Sequence, residues 1–309
     1  MRAYPLRLRT IRCGVIGRAG SAVGSLSLSS PYAGPTACHL DTCRHASALR
    51  SSAMAQEGSP DLSGRVALVT GGGSGIGAGA AEALADSGAQ VVLVGRRAER
   101  LARVAGELAA RGHRVHTLAF DIGRGDGAAE LVARAVELAG HVDVLVHAAG
   151  NQVRSPALDL DLADFDAVID LHLRAAFALA QAVGRHLVAT DRPGSLVFVG
   201  SMTSLRVGLA NTVAYAAAKS GLLGLVRTLA VEWAPHEIRT NAVLVGFVKT
   251  ELTRDVDDTP GRIAVTSRVP LGRHGSSREI GDAIAFLASN AASYVTGTYL
   301  TVDGGWSVA

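Results

Sequence analysis

The sequence predicts a single α/β domain built on a doubly wound parallel sheet of seven strands flanked by helices, and two features predict it. From Arg65 onward, short apolar runs alternate with longer stretches of helical periodicity and no obvious linker intervenes. That is the pattern of βαβ units, whose crossover helices make the strands parallel. At Leu68-Val69-Thr70-Gly71-Gly72-Gly73-Ser74-Gly75-Ile76-Gly77 the first such run breaks into closely spaced glycines and passes into an Ala-rich helix. This is the layout of a Rossmann-type nucleotide turn, with unpaired N–H groups and a positive dipole end at the helix start.

The elements follow in order. Residues 65–70 alternate and are β-branched, so they read as the first strand, and Ala78 to Ser87 reads as the first helix. A strand at 90–95 leads to a helix over Ala98 to Arg111, with Leu101, Val104 and Leu108 on one face. Strands at 114–120 and 142–147 precede a long Ala-rich helix around Phe165 to Leu187, and further strands are expected at 194–200, 239–245 and 298–302. Gly71, Gly75 and Gly77 lack the Cβ atoms that would hold the turn away from a phosphate.

Residues 1–60 are expected to be an N-terminal extension outside the domain, which spans 61–309. Two readings fit the extension: an Arg-rich, acid-poor organelle transit peptide, or upstream translated sequence before a start at Met54. The 28 Arg against two Lys point to GC-rich coding sequence, where upstream frames stay open, and favour the second reading.

Composition excludes several classes of function. Of 309 residues 48% are hydrophobic and 18% charged, ample for a large core. No apolar run in the sequence approaches the roughly 18–20 residues needed to span a bilayer, so no membrane role is expected and the location expected is cytoplasmic. The net charge of +3 is unevenly placed: residues 1–53 hold seven Arg and one Asp, and the rest carry 23 basic and 26 acidic side chains. The body is therefore mildly acidic and no nucleic-acid partner is expected. All three cysteines, Cys13, Cys38 and Cys43, lie in the extension, and the histidines show no metal-ligand spacing, so neither a thiol nucleophile nor a metal is expected.

Tyr215-Ala216-Ala217-Ala218-Lys219 places a phenol and an ammonium one helical turn apart. With five Tyr and two Lys in the chain, roughly 0.03 such pairs arise by chance. A phenol is a poor base near neutral pH, and a neighbouring cation lowers its pKa, so the pair suits proton exchange with a hydroxyl or carbonyl. Ser201 follows the strand 194–200 and stands where open α/β sheets bind ligands; a cap or turn role is its alternative, and Ser204 competes for the same part.

These residues carry a resemblance. From about Asp61 to Gly305 the chain resembles the short-chain dehydrogenase/reductase family, through Thr70-Gly71, Gly75-Ile76-Gly77, Ser201, Tyr215 with Lys219, the segment Asn241 to Thr250, and Asp303-Gly304-Gly305. The resemblance implies a homo-oligomer, dimer or tetramer, that passes hydride between a nicotinamide and a substrate carbon bearing oxygen. By it Tyr215 is the general acid/base, Ser201 binds the substrate oxygen, and Lys219 lowers the tyrosine's pKa and holds the nicotinamide ribose. Thr250 and the backbone near Val248 anchor the carboxamide, and Asp121 meets the adenine. Ser74, Ile122, Ala149 and Gly150 complete the implied cofactor set.

The chain departs from the family pattern at three places. Asn-Asn-Ala-Gly becomes His147-Ala148-Ala149-Gly150, Pro-Gly becomes Val245-Gly246, and the active-site Asn becomes His172, which either keeps, alters or weakens the family's proton relay. At the end of the second strand, where NAD-preferring relatives place an acid, stand Gly95, Arg96 and Arg97. A guanidinium at Arg96 can pair with a 2′-phosphate, so NADP is expected over NAD. The run Gly150 to Pro156 and the ending at Trp306 are similar to gluconate and 2-deoxygluconate dehydrogenases, which makes Gln152 and Arg154 candidate substrate contacts. The polar lid between Thr250 and Leu271, with Arg254, Arg262 and Arg268, suits a small polar substrate. A 3-oxoacyl thioester reductase and a non-catalytic nucleotide-binding scaffold are the alternatives.

Overall fold

The computed structural model describes residues 60–123, 127–205, 208–250 and 267–309. The three cysteines, Met54, Arg254 and Arg262 lie outside these described residues. The chain runs β1 (Val66–Thr70), α1 (Gly75–Asp86), β2 (Gln90–Gly95), α2 (Ala98–Ala109), β3 (Val115–Ala119), α3 (Ala128–Ala139) and β4 (Val144–His147). There follow α4 (Leu162–Ile169), a π turn (Asp170–Arg174), α5 (Ala175–Ala189), β5 (Gly194–Ser201) and α6 (Val213–Trp233). The domain closes with β6 (Ile238–Val245), α7 (Ser277–Ala288) and β7 (Tyr299–Val302).

All seven strands form one parallel sheet in the order β3-β2-β1-β4-β5-β6-β7. Each strand alternates between two cores. Val66 and Leu68 of β1 face a cluster shared with α3, α5 and α6, whereas Ala67 and Val69 face one shared with α1, α2 and α7. Burial on both faces explains why the central strands are near-continuous runs of Val, Leu and Ala. Strand order reverses between β1 and β4, and the carboxyl ends of those two strands open the crevice where such sheets take ligands.

Two expectations need correction. The long helix expected over Phe165 to Leu187 is interrupted: Asp170–Arg174 adopt a π turn between α4 and α5, a wider coil that no hydrophobic period announces. In addition, Leu162–Ala189 forms 28 helical residues with a mean hydropathy of 1.3 in their most apolar window, long and apolar enough to cross a bilayer. Ala176, Leu179, Ala180, Val183 and Leu187 from this stretch are instead buried in the domain's own core.

Candidate active site

A cleft of about 580 Å³ opens at the β1/β4 reversal, within the range of small-molecule and cofactor sites. Its floor is the glycine turn. Gly71, at φ +71°, passes so close to the next loop that a Cβ would stand 2.9 Å from Ala149 Cα, and one on Gly77 would strike the Gly71 carbonyl. These two glycines thus serve close packing of the turn within the protein, not only the approach of a phosphate. Gly75, at φ +53°, faces Thr250. Ser74 precedes α1 in extended conformation and its side chain makes no capping bond, so the first N–H groups of Gly75, Ile76 and Gly77 are left for a ligand.

Most of the expected cofactor residues share this cleft: Gly71, Ser74, Gly75, Ile76, Gly77, Arg96, Asp121, Ile122, Ala149, Gly150, Thr250, Tyr215 and Lys219 line it. Val248 does not; its side chain is buried and its backbone bridges to Gly275. Gln152 and Arg154 lie on the loop beyond Asn151, outside the cleft wall, with Arg154 exposed. Arg96 is joined by Arg97 and by Arg100, which the motif reading missed. Arg100 lies one helical turn past Arg96, and that i, i+4 spacing was its available signal.

At the other end of the cleft stand the expected catalytic residues His172, Tyr215 and Lys219, with Ser201 outside the cleft wall. Ser201 caps a short 3₁₀ turn, its Oγ accepting from Thr203 N–H at 3.2 Å and from Thr203 Oγ1 at 3.0 Å. With both acceptor positions used, its own hydrogen is left to donate, and an interaction with Ser201 pulls the Tyr215 phenol down. Ser204 spends its hydroxyl on the Ser201 N–H at 3.1 Å.

Lys219 is 3% exposed and donates to the Val199 carbonyl at 2.6 Å, with Nζ 5.7 Å from the centre of the Tyr215 ring. Burial pulls its ammonium down to about 7. Burial also pushes the Tyr215 phenol up, against the opposing hydrogen bond from Ser201. The expected lowering of Tyr215 by Lys219 is therefore absent from this arrangement, because both groups are desolvated and the ammonium is turned to a carbonyl.

His172 sits in the π turn, 2% exposed, its ring edge-on to Tyr215 at 5.2 Å between centres. Its Nε2 lies 2.7 Å from the Asn151 carbonyl and 3.1 Å from the Asn151 N–H. Donating to the carbonyl, it ties the π turn to the loop after β4. Burial, followed by the Lys219 charge, pulls His172 down to about 2, so the ring is neutral. His147, wholly buried at the end of β4, contacts Thr70 Oγ1 at 3.2 Å and is pulled down to about 3 by burial.

Comparison with known proteins then decides the family. The family profile described as Enoyl-(Acyl carrier protein) reductase matches residues 71–307. The chain is 37% identical over 246 residues to the 2-dehydro-3-deoxy-D-gluconate 5-dehydrogenase of Escherichia coli K12, covering 79% of this chain and 96% of that one. The chain belongs to the short-chain dehydrogenase/reductase family. Another member, the 3-oxoacyl-[acyl-carrier-protein] reductase of Thermotoga maritima, is 35% identical over 79% of this chain and 98% of its own. Among solved structures, a gluconate 5-dehydrogenase from Burkholderia cenocepacia in complex with NADP and tartrate superposes with a TM-score of 0.77 at 33% identity, covering 81% of this chain and 97% of that chain.

As a short-chain dehydrogenase/reductase the protein is an NAD(P)-dependent oxidoreductase acting on CH–OH groups. The uncapped start of α1, the glycines of its turn and the three arginines beyond β2 fit a dinucleotide phosphate. Two departures from the family pattern meet at Lys219, since His147 and His172 both lie within reach of its charge. At the third, Gly246 is required by packing: a Cβ there would stand 2.6 Å from Asp303 Cα.

Proposed function

We propose that the chain reduces the ketone of a small sugar acid, or oxidises the matching secondary alcohol, with NADP as the preferred cofactor. The observation that carries the catalytic assignment is that Tyr215 and the buried Lys219 share the cleft at the carboxyl edge of the sheet, with Nζ of Lys219 5.7 Å from the centre of the Tyr215 ring. The nicotinamide supplies or accepts the hydride when bound. Ser201 positions the substrate oxygen, and Tyr215 gives that oxygen a proton in reduction or takes it in oxidation. A phenol held neutral by burial suits the donating direction, and Lys219, with a midpoint near neutrality, can resupply the proton.

NADP is favoured by Arg96, Arg97 and Arg100, which line the cleft beyond β2 where an acid would repel the 2′-phosphate. The sugar-acid reading is supported by the names of the E. coli and B. cenocepacia relatives, and 3-oxoacyl thioester reduction by that of the T. maritima one. Gln152 and Arg154 are proposed to meet the substrate from the loop after Asn151. Val248 is proposed to hold the carboxamide through its backbone. A homotetramer in the cytoplasm completes the reading.

The test is NADPH oxidation against a panel of keto sugar acids and 3-oxoacyl thioesters, repeated with Tyr215→Phe. Turnover is expected to fall by about 10²-fold or more while NADPH affinity changes little. Near-normal turnover in that variant would remove Tyr215 from the chemistry, and cofactor binding with no turnover on any substrate would favour a scaffold.

A further inference from the structure

A substrate must reach Tyr215 and Ser201 from the side that the dinucleotide cleft leaves open. The cleft lies at the β1/β4 reversal, and beyond β5 the sheet continues to β6 and β7. Register sets the carboxyl ends of these three strands level, since Ser201 pairs with Val245 and Val245 with Val302. The segments that leave them pack together: Met202, the residue after Ser201, forms a buried cluster with Val269 and Trp306, against which Leu209 and Phe247 lie. The Phe247 and Trp306 rings meet edge to face with centres 5.5 Å apart. A substrate with its oxygen at Tyr215 and its reacting carbon toward the cleft therefore extends its far end over this cluster.

One charged group stands on that floor. The exposed Arg268 guanidinium lies over the Trp306 ring, Cζ 4.6 Å from its centre, and Trp306 itself is buried. The backbone beside Arg268 is held to the same turn. Leu271 N–H donates to the Gly304 carbonyl at 3.2 Å, a Cβ on Gly304 would stand 2.7 Å from Val269 Cγ1, and one on Gly305 2.9 Å from Pro270 Cγ. The Asp303 carboxylate fixes the turn by accepting from the Gly305 and Ser307 N–H groups at 2.9 and 2.8 Å. Among the described residues Arg268 has no hydrogen bond and no ion pair, in contrast to Arg192, Arg273 and Arg278, each bound to a carboxylate. Arg154 is exposed on its loop and stacks on no ring among the described residues.

We infer that Arg268 is the carboxylate-binding residue of this site: stacked on Trp306, it presents the N–H edge of its guanidinium to the acid end of the substrate. A stacked guanidinium keeps its donors in one plane, meets a carboxylate with two parallel hydrogen bonds and gives up little freedom on binding. The same contact separates a sugar acid from the corresponding neutral polyol, which has no charge to pair. This deepens the sugar-acid reading and rests on it for its functional meaning.

The test is calorimetric binding of gluconate, galactonate and tartrate to the NADPH-loaded protein at matched ionic strength, against glucitol, galactitol and threitol, which keep each carbon skeleton and lack the acid group. NADPH cannot oxidise these alcohols, so binding is read without turnover. At least one acid should bind about tenfold or more tighter than its polyol. Arg268→Met, at an exposed position, should remove that preference, with acid affinity falling about tenfold or more and polyol affinity unchanged. Arg268→Lys keeps the charge without the plane and should recover part of the loss. Location is read from Trp306, one of two tryptophans in the chain. In Trp233→Phe it is the sole indole emitter, and the acid should shift its emission while the polyol does not. If that variant does not fold, the emission change of the parent less that of Arg268→Met gives the same reading. No acid bound more tightly than its polyol, a preference that survives Arg268→Met, or an unmoved Trp306 emission would each overturn the inference. Acids that bind through Arg268 but are never oxidised with NADP would sink the sugar-acid reading alone, whereas acids that turn over with an unchanged KM in Arg268→Met would sink this inference alone.

Discussion

Ser201 shows how one oxygen is prepared for one task. Thr203 occupies its acceptor positions, leaving a single hydrogen to aim. Ser201→Ala should therefore cost about 10²-fold in turnover, whereas Ser204→Ala removes one bond to the Ser201 N–H and should cost about 1 kcal/mol of stability with turnover largely kept. Paired kinetics and melting curves of the two variants distinguish these outcomes. At the cofactor end, Arg96→Ala and Arg100→Ala should each weaken NADP binding while leaving NAD binding nearly unchanged, since NADP alone has the 2′-phosphate. Equal losses for both cofactors in a binding titration would remove that arginine from phosphate recognition. The Tyr–Lys pair was legible in the sequence because its spacing on a helix is unlikely by chance. The choice between Ser201 and Ser204 was not, because the 3₁₀ turn engages both hydroxyls in one capping box.

Elements are positioned by a few buried polar ties. Asp143, fully buried just before β4, accepts from Arg192 Nε at 2.9 Å and Nη2 at 2.7 Å, and from the Val66 N–H of β1 at 2.9 Å. His141 Nε2 lies 3.0 Å from the same carboxylate. Asp143→Ala strands a guanidinium and a backbone donor and is expected to cost about 3–5 kcal/mol, read as a lowered midpoint in urea. Cofactor affinity measured where the variant remains folded should change much less, because the tie is at the opposite end of the strand from the cleft. The strands were legible as apolar runs, and each lies within about two residues of its expected limits. The fourth starts two residues later than the apolar pattern, at Val144, although the Asp143 backbone already bonds Val66 of β1 and Ser195 of β5. The π turn was illegible, since Asp170-Leu171-His172-Leu173-Arg174 has nothing in its composition that separates π from α.

Among the described residues, large apolar side chains are exposed on several elements. On α5, Phe177 and Val188 are 43% and 46% exposed and, eleven residues apart, lie on one face. On α6, Val231 is 78% exposed. Phe286 on α7 and Tyr294 after it are also exposed. Exposed apolar side chains on separate elements are what a tetramer with two kinds of contact requires. For the proposed homotetramer, the double variant Phe177→Glu, Val188→Glu should reduce the mass in solution from tetramer to dimer by light scattering, and an unchanged mass would place the contact elsewhere.

The strands that open the cleft, β1 and β4, meet at Thr70 and His147, 77 positions apart in the chain. Every ladder in the sheet is parallel, so no hairpin can form ahead of the rest and each pairing must close a long loop first. Refolding is consequently expected to be slow for a chain of this size, with the dinucleotide site completed only when β1 and β4 have paired. Dinucleotide therefore binds only the finished sheet and lends it about 2.7 kcal/mol at a hundredfold excess over its dissociation constant. Its presence should retard unfolding while leaving the refolding rate unchanged.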